Sequence, residues 1–164
     1  MESVIKGRVY KFGDNINSDI IIPGRYLIYI DREKLAEHAF EMLGEEVQRN
    51  LKTFDILVAG RNFGCGSARE QAATAIQGLG IKAVVASSFA RTFYRNAIND
   101  GLPIVESPAV YQAAQEGDEI EINLETGVIR LGVQEFSFAR MPESVRKIIE
   151  LGGLAEYLKT QLQQ

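Results

Sequence analysis

One cysteine, Cys65, and one histidine, His38, are all that 164 residues offer toward soft-metal chemistry. A single thiol cannot close an internal disulfide. One thiol and one imidazole cannot complete a tetrahedral zinc site or hold an iron–sulfur cluster, so any such group would have to come from another chain. No apolar run approaches the ~20 residues of a membrane span, and the opening MESVIKGR lacks the apolar core of a secretion signal. Those absences make a cytoplasmic protein with no membrane contact the expectation. The net charge is −4 and no long basic run is present, which argues against nucleic acid as the main partner. What is present is 46% hydrophobic and 24% charged, a composition suited to one globular domain with a sizeable core. A single domain over residues 1–164 is expected.

The most informative stretch is AGRNFGCGSARE, residues 59–70. The apolar run Ile56-Leu57-Val58-Ala59 before it reads as a buried strand. After it, Ala68, Ala72, Ala75, Ile76 and Leu79 recur at helical spacing. Between them lie Gly60, Gly64 and Gly66. A strand, a glycine-rich turn and a helix start together present unpaired N–H groups and a dipole that favour an anion. The spacing places Ser67 and Arg69 in the first helical turn. Two readings remain open on local physics. Ser67-Ala68-Arg69-Glu70 has the form of a capping box, in which Ser67 only caps and Glu70 only answers. Alternatively the turn receives an acidic substrate, with Ser67 and Arg69 facing it.

Around this centre the pattern alternates. Residues 4–12 read as a strand, Ile20-Ile21-Ile22 as a short strand stopped by Pro23-Gly24, and Arg25-Tyr26-Leu27-Ile28-Tyr29 as either an exposed loop or a third short strand. Asp31 caps a helix with Ala36, Ala39, Phe40 and Leu43 inward. His38 lies off that stripe, as a solvated surface residue would. Residues 45–52 read as a polar connection. Residues 82–86 and 102–105 read as buried strands, separated by a helix that Ser87 or Ser88 caps and that carries Phe93, Tyr94, Ala97 and Ile98 on one face. Strand–helix–strand–helix–strand implies a parallel βαβαβ centre. Further on, Ile120, Ile122 and Leu124 alternate with polar residues, turn at Glu125-Thr126-Gly127 and return through 128–131, a β-hairpin. The fold class expected is α/β, with a mixed or two-sheet β part.

Three stretches, GDNINSDIIIPGRYL, AGRNFGCGSAREQA and SSFARTFYRNAINDGLPIVE, lie in the same order and at similar spacing as in a known family. Together they resemble the small subunit of 3-isopropylmalate dehydratase of archaeal type, and the related swivelling domain of aconitase. The resemblance covers residues 4–158. It implies a swivelling β/β/α domain with the hairpin as an addition. It also implies a hydro-lyase that interconverts 2-isopropylmalate and 3-isopropylmalate by dehydration and rehydration in leucine biosynthesis. A large subunit would carry the [4Fe–4S] cluster and this chain no cofactor; the substrate would be a small diacid.

By the same resemblance Ser67 matches the catalytic serine, acting as an alkoxide base, and Arg69 the arginine that grips a substrate carboxylate beside Gly66. Tyr26, Leu27, Ile28 and Tyr29 match a loop over the substrate, where homoaconitase-type relatives tend to carry arginine at the position of Ile28. The chain departs from the commonest motif at Ala68, where many relatives have serine, and at Gln71, where many have histidine. A homoaconitase or broad-specificity small subunit is the nearest alternative, and a non-catalytic anion-binding assembly domain the more distant one. Cys65, a lone thiol in an opening turn, adds the expectation of a possible homo-oligomer when the chain is alone.

Overall fold

A computed structural model describes residues 3–163. Seven strands form one mixed sheet: β1 (Val4–Lys11), β2 (Ile56–Ala59), β3 (Ala83–Ala86), β4 (Ile104–Glu106), β5 (Glu119–Asn123), β6 (Val128–Leu131) and β7 (Gln134–Ser137). Their order is β4-β3-β2-β1-β5-β6-β7. Strand β1 is the seam. It pairs parallel with β2, Val9 opposite Ile56, and antiparallel with β5, Ile5 opposite Ile122. The parallel half is the expected βαβαβ centre, with α4 (Gln71–Gly78) joining β2 to β3 and α5 (Arg91–Asn99) joining β3 to β4. The antiparallel half is the expected hairpin plus β7.

Helices cover both faces of the parallel half, which is why β2 and β3 read as unbroken apolar runs and not as alternating ones. Every residue of both strands is buried. Leu57, Ala59, Val84 and Ala86 face one core with Phe63, Ala72, Ile76 and Phe93. Ile56, Val58, Ala83 and Val85 face the other, with Val110, Ile120 and Ile149. Each large aliphatic side chain buried this way contributes ~1.5–3 kcal/mol, so this centre holds the sheet around the turn that follows β2.

Several expectations are corrected. Ile20-Ile21-Ile22 is not a strand: α1 (Ser18–Ile21) forms there, because the Asn17 side chain accepts from the Ile20 N–H and starts a helical turn. Of the two readings open for residues 25–29 the loop is the one found: a 3-10 turn at Gly24–Tyr26 leads into it, and no third strand forms there. Helix α2 (Arg32–His38) begins at Asp31 as expected, its carboxylate accepting from Glu33 N–H. It stops at His38, however, because Phe40 takes a left-handed conformation, φ 57°. Leu43 is consequently not inward but exposed. Residues 45–52 are not a polar connection: α3 (Glu45–Leu51) occupies them and buries Leu51. Neither Ser87 nor Ser88 caps α5, whose N-cap is Ala90. Ser88 Oγ instead accepts from Asn62 N–H at 2.9 Å. Helices α6 (Pro108–Ala113), α7 (Glu143–Glu150) and α8 (Leu154–Leu162) complete the chain.

Asp100, just past α5, is a cost built into this fold. Burial pushes its carboxyl above the usual Asp range, opposed by the Thr74 hydroxyl, which donates to Oδ2 at 2.6 Å. A raised folded-state value means the native protein keeps a proton the unfolded chain has already released. Stability is therefore fullest below the ordinary Asp range and falls as pH rises through the raised value. Asp100→Asn keeps an acceptor for Thr74 and removes the charge. The variant is expected to be more stable than wild type at pH 7, and the gap should close in acid. Urea unfolding at pH 7 and at acid pH reads this; a less stable variant at pH 7 would contradict it.

Candidate active site

The turn after β2 is held on two sides. Along one side it runs beside residues 13–18: Gly60 N–H donates to Gly13 O at 3.0 Å, Asn15 N–H to Arg61 O at 2.8 Å, Gly64 N–H to Ile16 O at 2.7 Å and Ser18 N–H to Cys65 O at 2.7 Å. Asp14 reinforces this edge, accepting from Arg61 N–H at 2.7 Å. That backbone bond is the main reason its carboxyl titrates below the usual range. On the other side Phe63 N–H donates to Ser88 O and Ala90 N–H to Phe63 O. The three stretches that carry the family resemblance are thus knitted into one unit. Gly64 is required by it: its φ is +82°, and a Cβ there would collide with Phe93.

The knitting also changes what Ser67 is. Bonds to residues 13–18 hold the chain as a loop as far as Cys65, Gly66 follows at φ +92°, and α4 begins only at Gln71. The expected placement of Ser67 and Arg69 in the first helical turn is therefore corrected, and the capping box does not form. Glu70 is the N-cap residue, with no side-chain cap bond. Ser67 is exposed and caps nothing. Among the described residues, none of the backbone N–H groups of residues 66–70 has an acceptor. A run of free N–H groups about a left-handed glycine is an anion-binding concavity in its own right.

Arg69 follows Ser67 in this stretch, and its side chain turns toward α1 and Gly24. Its side chain is only 12% exposed and is ion-paired with Asp19. Its Nη1 donates to Ile22 O at 3.0 Å, and a Cβ on Gly24 would lie 3.4 Å from Nη2. The guanidinium is thus pre-placed by α1 and the Pro23-Gly24 break, with its other donors left for a ligand. Ser18 packs under Gly66, 2% exposed, and its hydroxyl has no partner among the described residues.

The loop carrying Tyr26, Leu27, Ile28 and Tyr29 lies beside Arg69 and the start of α4. Gln71 Nε2 donates to Leu27 O at 3.1 Å, so the residue that departs from the common motif fastens loop to helix. Ile28 projects from the loop, 81% exposed, while Tyr26, Leu27 and Tyr29 pack partly on the core. The structure therefore sets Arg69 and Gln71 against this loop, with Gly66 and Ser67 just before them in the chain. Sequence reasoning missed Asp19, Gln71 and Glu41, which act through contacts between distant segments. The Asn-Ser-Asp run that opens α1 was the signal for Asp19, and the departure from the common motif at Gln71 was the signal for that residue.

His38 is not a free surface residue: it stacks on Tyr26 with centroids 3.6 Å apart. Cys65 is half-buried. Among the described residues no three His, Cys, Asp or Glu side chains converge to hold a metal, and a lone cysteine does not fit a [4Fe–4S] cluster. Among the described residues no helix is long and apolar enough to cross a membrane. A cavity of about 790 Å³ opens at the opposite end of the parallel strands, lined by Ile5, Ile81, Leu102 and Pro103. The Ser67 turn itself stands on open surface.

Residues 16–109 match the aconitase C-terminal domain family. The isopropylmalate/citramalate isomerase small subunit of Methanocaldococcus jannaschii is 48% identical over 164 residues, covering 99% of this chain and 98% of that protein. A 3-isopropylmalate dehydratase small subunit of Sulfurisphaera tokodaii is 51% identical over 160 residues, 95% of this chain and 94% of that one. The crystal structure of 3-isopropylmalate dehydratase from Methanocaldococcus jannaschii superposes with a TM-score of 0.88 at 43% identity, covering 98% of this chain and 96% of that one. This chain belongs to the aconitase C-terminal domain family, among the small subunits of 3-isopropylmalate dehydratase.

Proposed function

We propose that this chain is the base-bearing half of a hydro-lyase that isomerises isopropylmalate, working only when a cluster-bearing large subunit closes over it. The observation that carries the reading is the exposed Ser67 in a turn of free N–H groups, with Arg69 pre-placed beside it. Ser67 Oγ, as an alkoxide held by those N–H groups, takes the proton from the carbon next to a substrate carboxylate. The C–H pair becomes the second bond of the alkene, and the hydroxyl leaves the neighbouring carbon. Rehydration at the other carbon returns the proton from Ser67. Arg69 orients the carboxylate through charge-assisted bonds, and Ile28 faces the substrate's third arm. With one cysteine in this chain, a [4Fe–4S] cluster would be held by the large subunit, where it would supply Lewis-acid chemistry for the loss of the hydroxyl. A site whose residues 66–68 are exposed fits one that is completed by a second chain.

Co-purification with tagged chain from its native cells tests this. An iron-containing partner of the aconitase family is expected; recovery of the chain alone or only with itself would count against the proposal. A second test concerns Arg69. Arg69→Lys keeps the charge and loses the planar fork, together with its hold on Ile22 and Asp19. Losing one such bond costs about 1.5 kcal/mol, roughly tenfold in kcat/KM, with KM raised and kcat lowered. Native constants in the lysine variant would mean that Arg69 supplies only long-range charge.

A further inference from the structure

Ile28 and Ile30 are 81% and 88% exposed, so the apolar residues at the outer edge of the 24–30 loop do little to hold it in place. Polar fixings add to the partial packing of Tyr26, Leu27 and Tyr29 on the core, and most of them meet at one carboxylate. Glu41 accepts from Tyr26 Oη at 3.0 and 2.9 Å and from Arg25 Nη2 at 2.7 Å. His38 Nδ1 lies 3.1 Å from its Oε1, and since an ionised carboxylate only accepts, Nδ1 carries the proton. These bonds, led by the one from His38, hold Glu41 below the usual carboxylate range. The rings continue the clamp. His38 lies flat on Tyr26, and Tyr29 is near-parallel to both, at 6.5 Å from Tyr26 and 6.3 Å from His38. Arg25 lies 4.8 Å over the Tyr26 ring, and Lys34 5.7 Å over Tyr29.

Glu41 reaches this position through strain. Phe40 is fully buried, donates its N–H to Ile21 O at 2.9 Å and is left-handed at φ 57°. A bulky residue in that region is uncommon and persists only where its surroundings over-determine it. The turn at Phe40 ends α2 and aims Glu41 back at the loop.

We propose that Glu41 is the positioning residue of the substrate loop: it fixes where Ile28 stands and so sets discrimination on the substrate's third arm. This rests on the reading of residues 26–29 given above. Glu41 touches neither substrate nor Ser67. Its loss frees the loop without removing the base, so the effect falls on KM and on selectivity rather than on kcat.

The test compares wild type, Glu41→Gln and Tyr26→Phe, each assembled with the large subunit, on isopropylmaleate and on homoaconitate. Glu41→Gln is expected to raise KM for isopropylmaleate about tenfold, leave kcat within about twofold, and lower the preference for isopropylmaleate by a similar factor. Tyr26→Phe, which removes one donor to Glu41, should give a smaller shift of the same kind. An unchanged ratio, or an equal fall in kcat on both substrates, would overturn the proposal. Hydrogen exchange on the isolated chain provides an arm that needs no activity. The N–H groups of Tyr26, Leu27 and Tyr29 are bonded within the loop, and in Glu41→Gln they should exchange at least about tenfold faster while those of β2 do not change. Unchanged exchange would overturn the clamp. Faster exchange with no turnover in the wild-type assembly would leave the clamp standing and overturn the catalytic reading instead.

Discussion

Ser67→Ala, assembled with the large subunit, should lose ~10²–10⁴-fold in kcat, the range a positioned general base contributes. Binding of the substrate should survive, because Arg69 and the 24–30 loop remain. The thermal midpoint of the isolated chain should not move. Had Ser67 capped a helix, its loss would cost about 1 kcal/mol; here α4 begins at Gln71 with Glu70 before it, and Ser67 makes no bond to lose. Melting curves and saturation kinetics on the same preparation separate the outcomes. A variant that melts early and turns over normally would return Ser67 to a capping role.

The second large effect is on substrate choice. Isopropylmalate and homocitrate share the reacting diacid and differ in the third arm, a branched hydrocarbon in one and a carboxylate in the other. Ile28 is 81% exposed on the loop whose Gly24 and Leu27 lie against Arg69 and Gln71, and in the proposed reading it meets that arm. Burying three carbons against it contributes ~2 kcal/mol at ~0.8 kcal/mol per carbon, or roughly 30-fold. A carboxylate there would lose its water and gain no partner, which costs more than the apolar contact returns. Wild type should therefore prefer isopropylmaleate over homoaconitate. Ile28→Arg should reverse the direction of preference, shifting the ratio of kcat/KM values by ~30-fold or more. A ratio that does not move would place selectivity in the large subunit.

The parallel centre was legible because ILVA and AVVA are buried on both faces and read as unbroken apolar runs. The hairpin was legible because Glu119–Asn123 alternates polar and apolar residues with its two faces. Ile20-Ile21-Ile22 misled because three β-branched residues look like a strand, whereas one side-chain bond from Asn17 and burial against α4 decide for a helical turn. Residues 59–70 stood out in the sequence as the candidate site, but their geometry was not legible. Local chemistry favoured a cap at Ser67; backbone bonds from residues 13–18, far away in the chain, win because they hold the turn open as far as Cys65. Asp19, Gln71 and Glu41 have ordinary sequence surroundings. Their partners, Arg69, Leu27 and Tyr26, are distant or across a turn, and no local pattern joins them.

The most direct test is reconstitution. Hydration of isopropylmaleate is followed with this chain alone, with the cluster-loaded large subunit alone, and with the two mixed. The account predicts turnover only in the mixture, and loss of it when Ser67→Ala replaces the native chain. Turnover by either chain alone, or a stable complex of the two that does not hydrate isopropylmaleate, would contradict it.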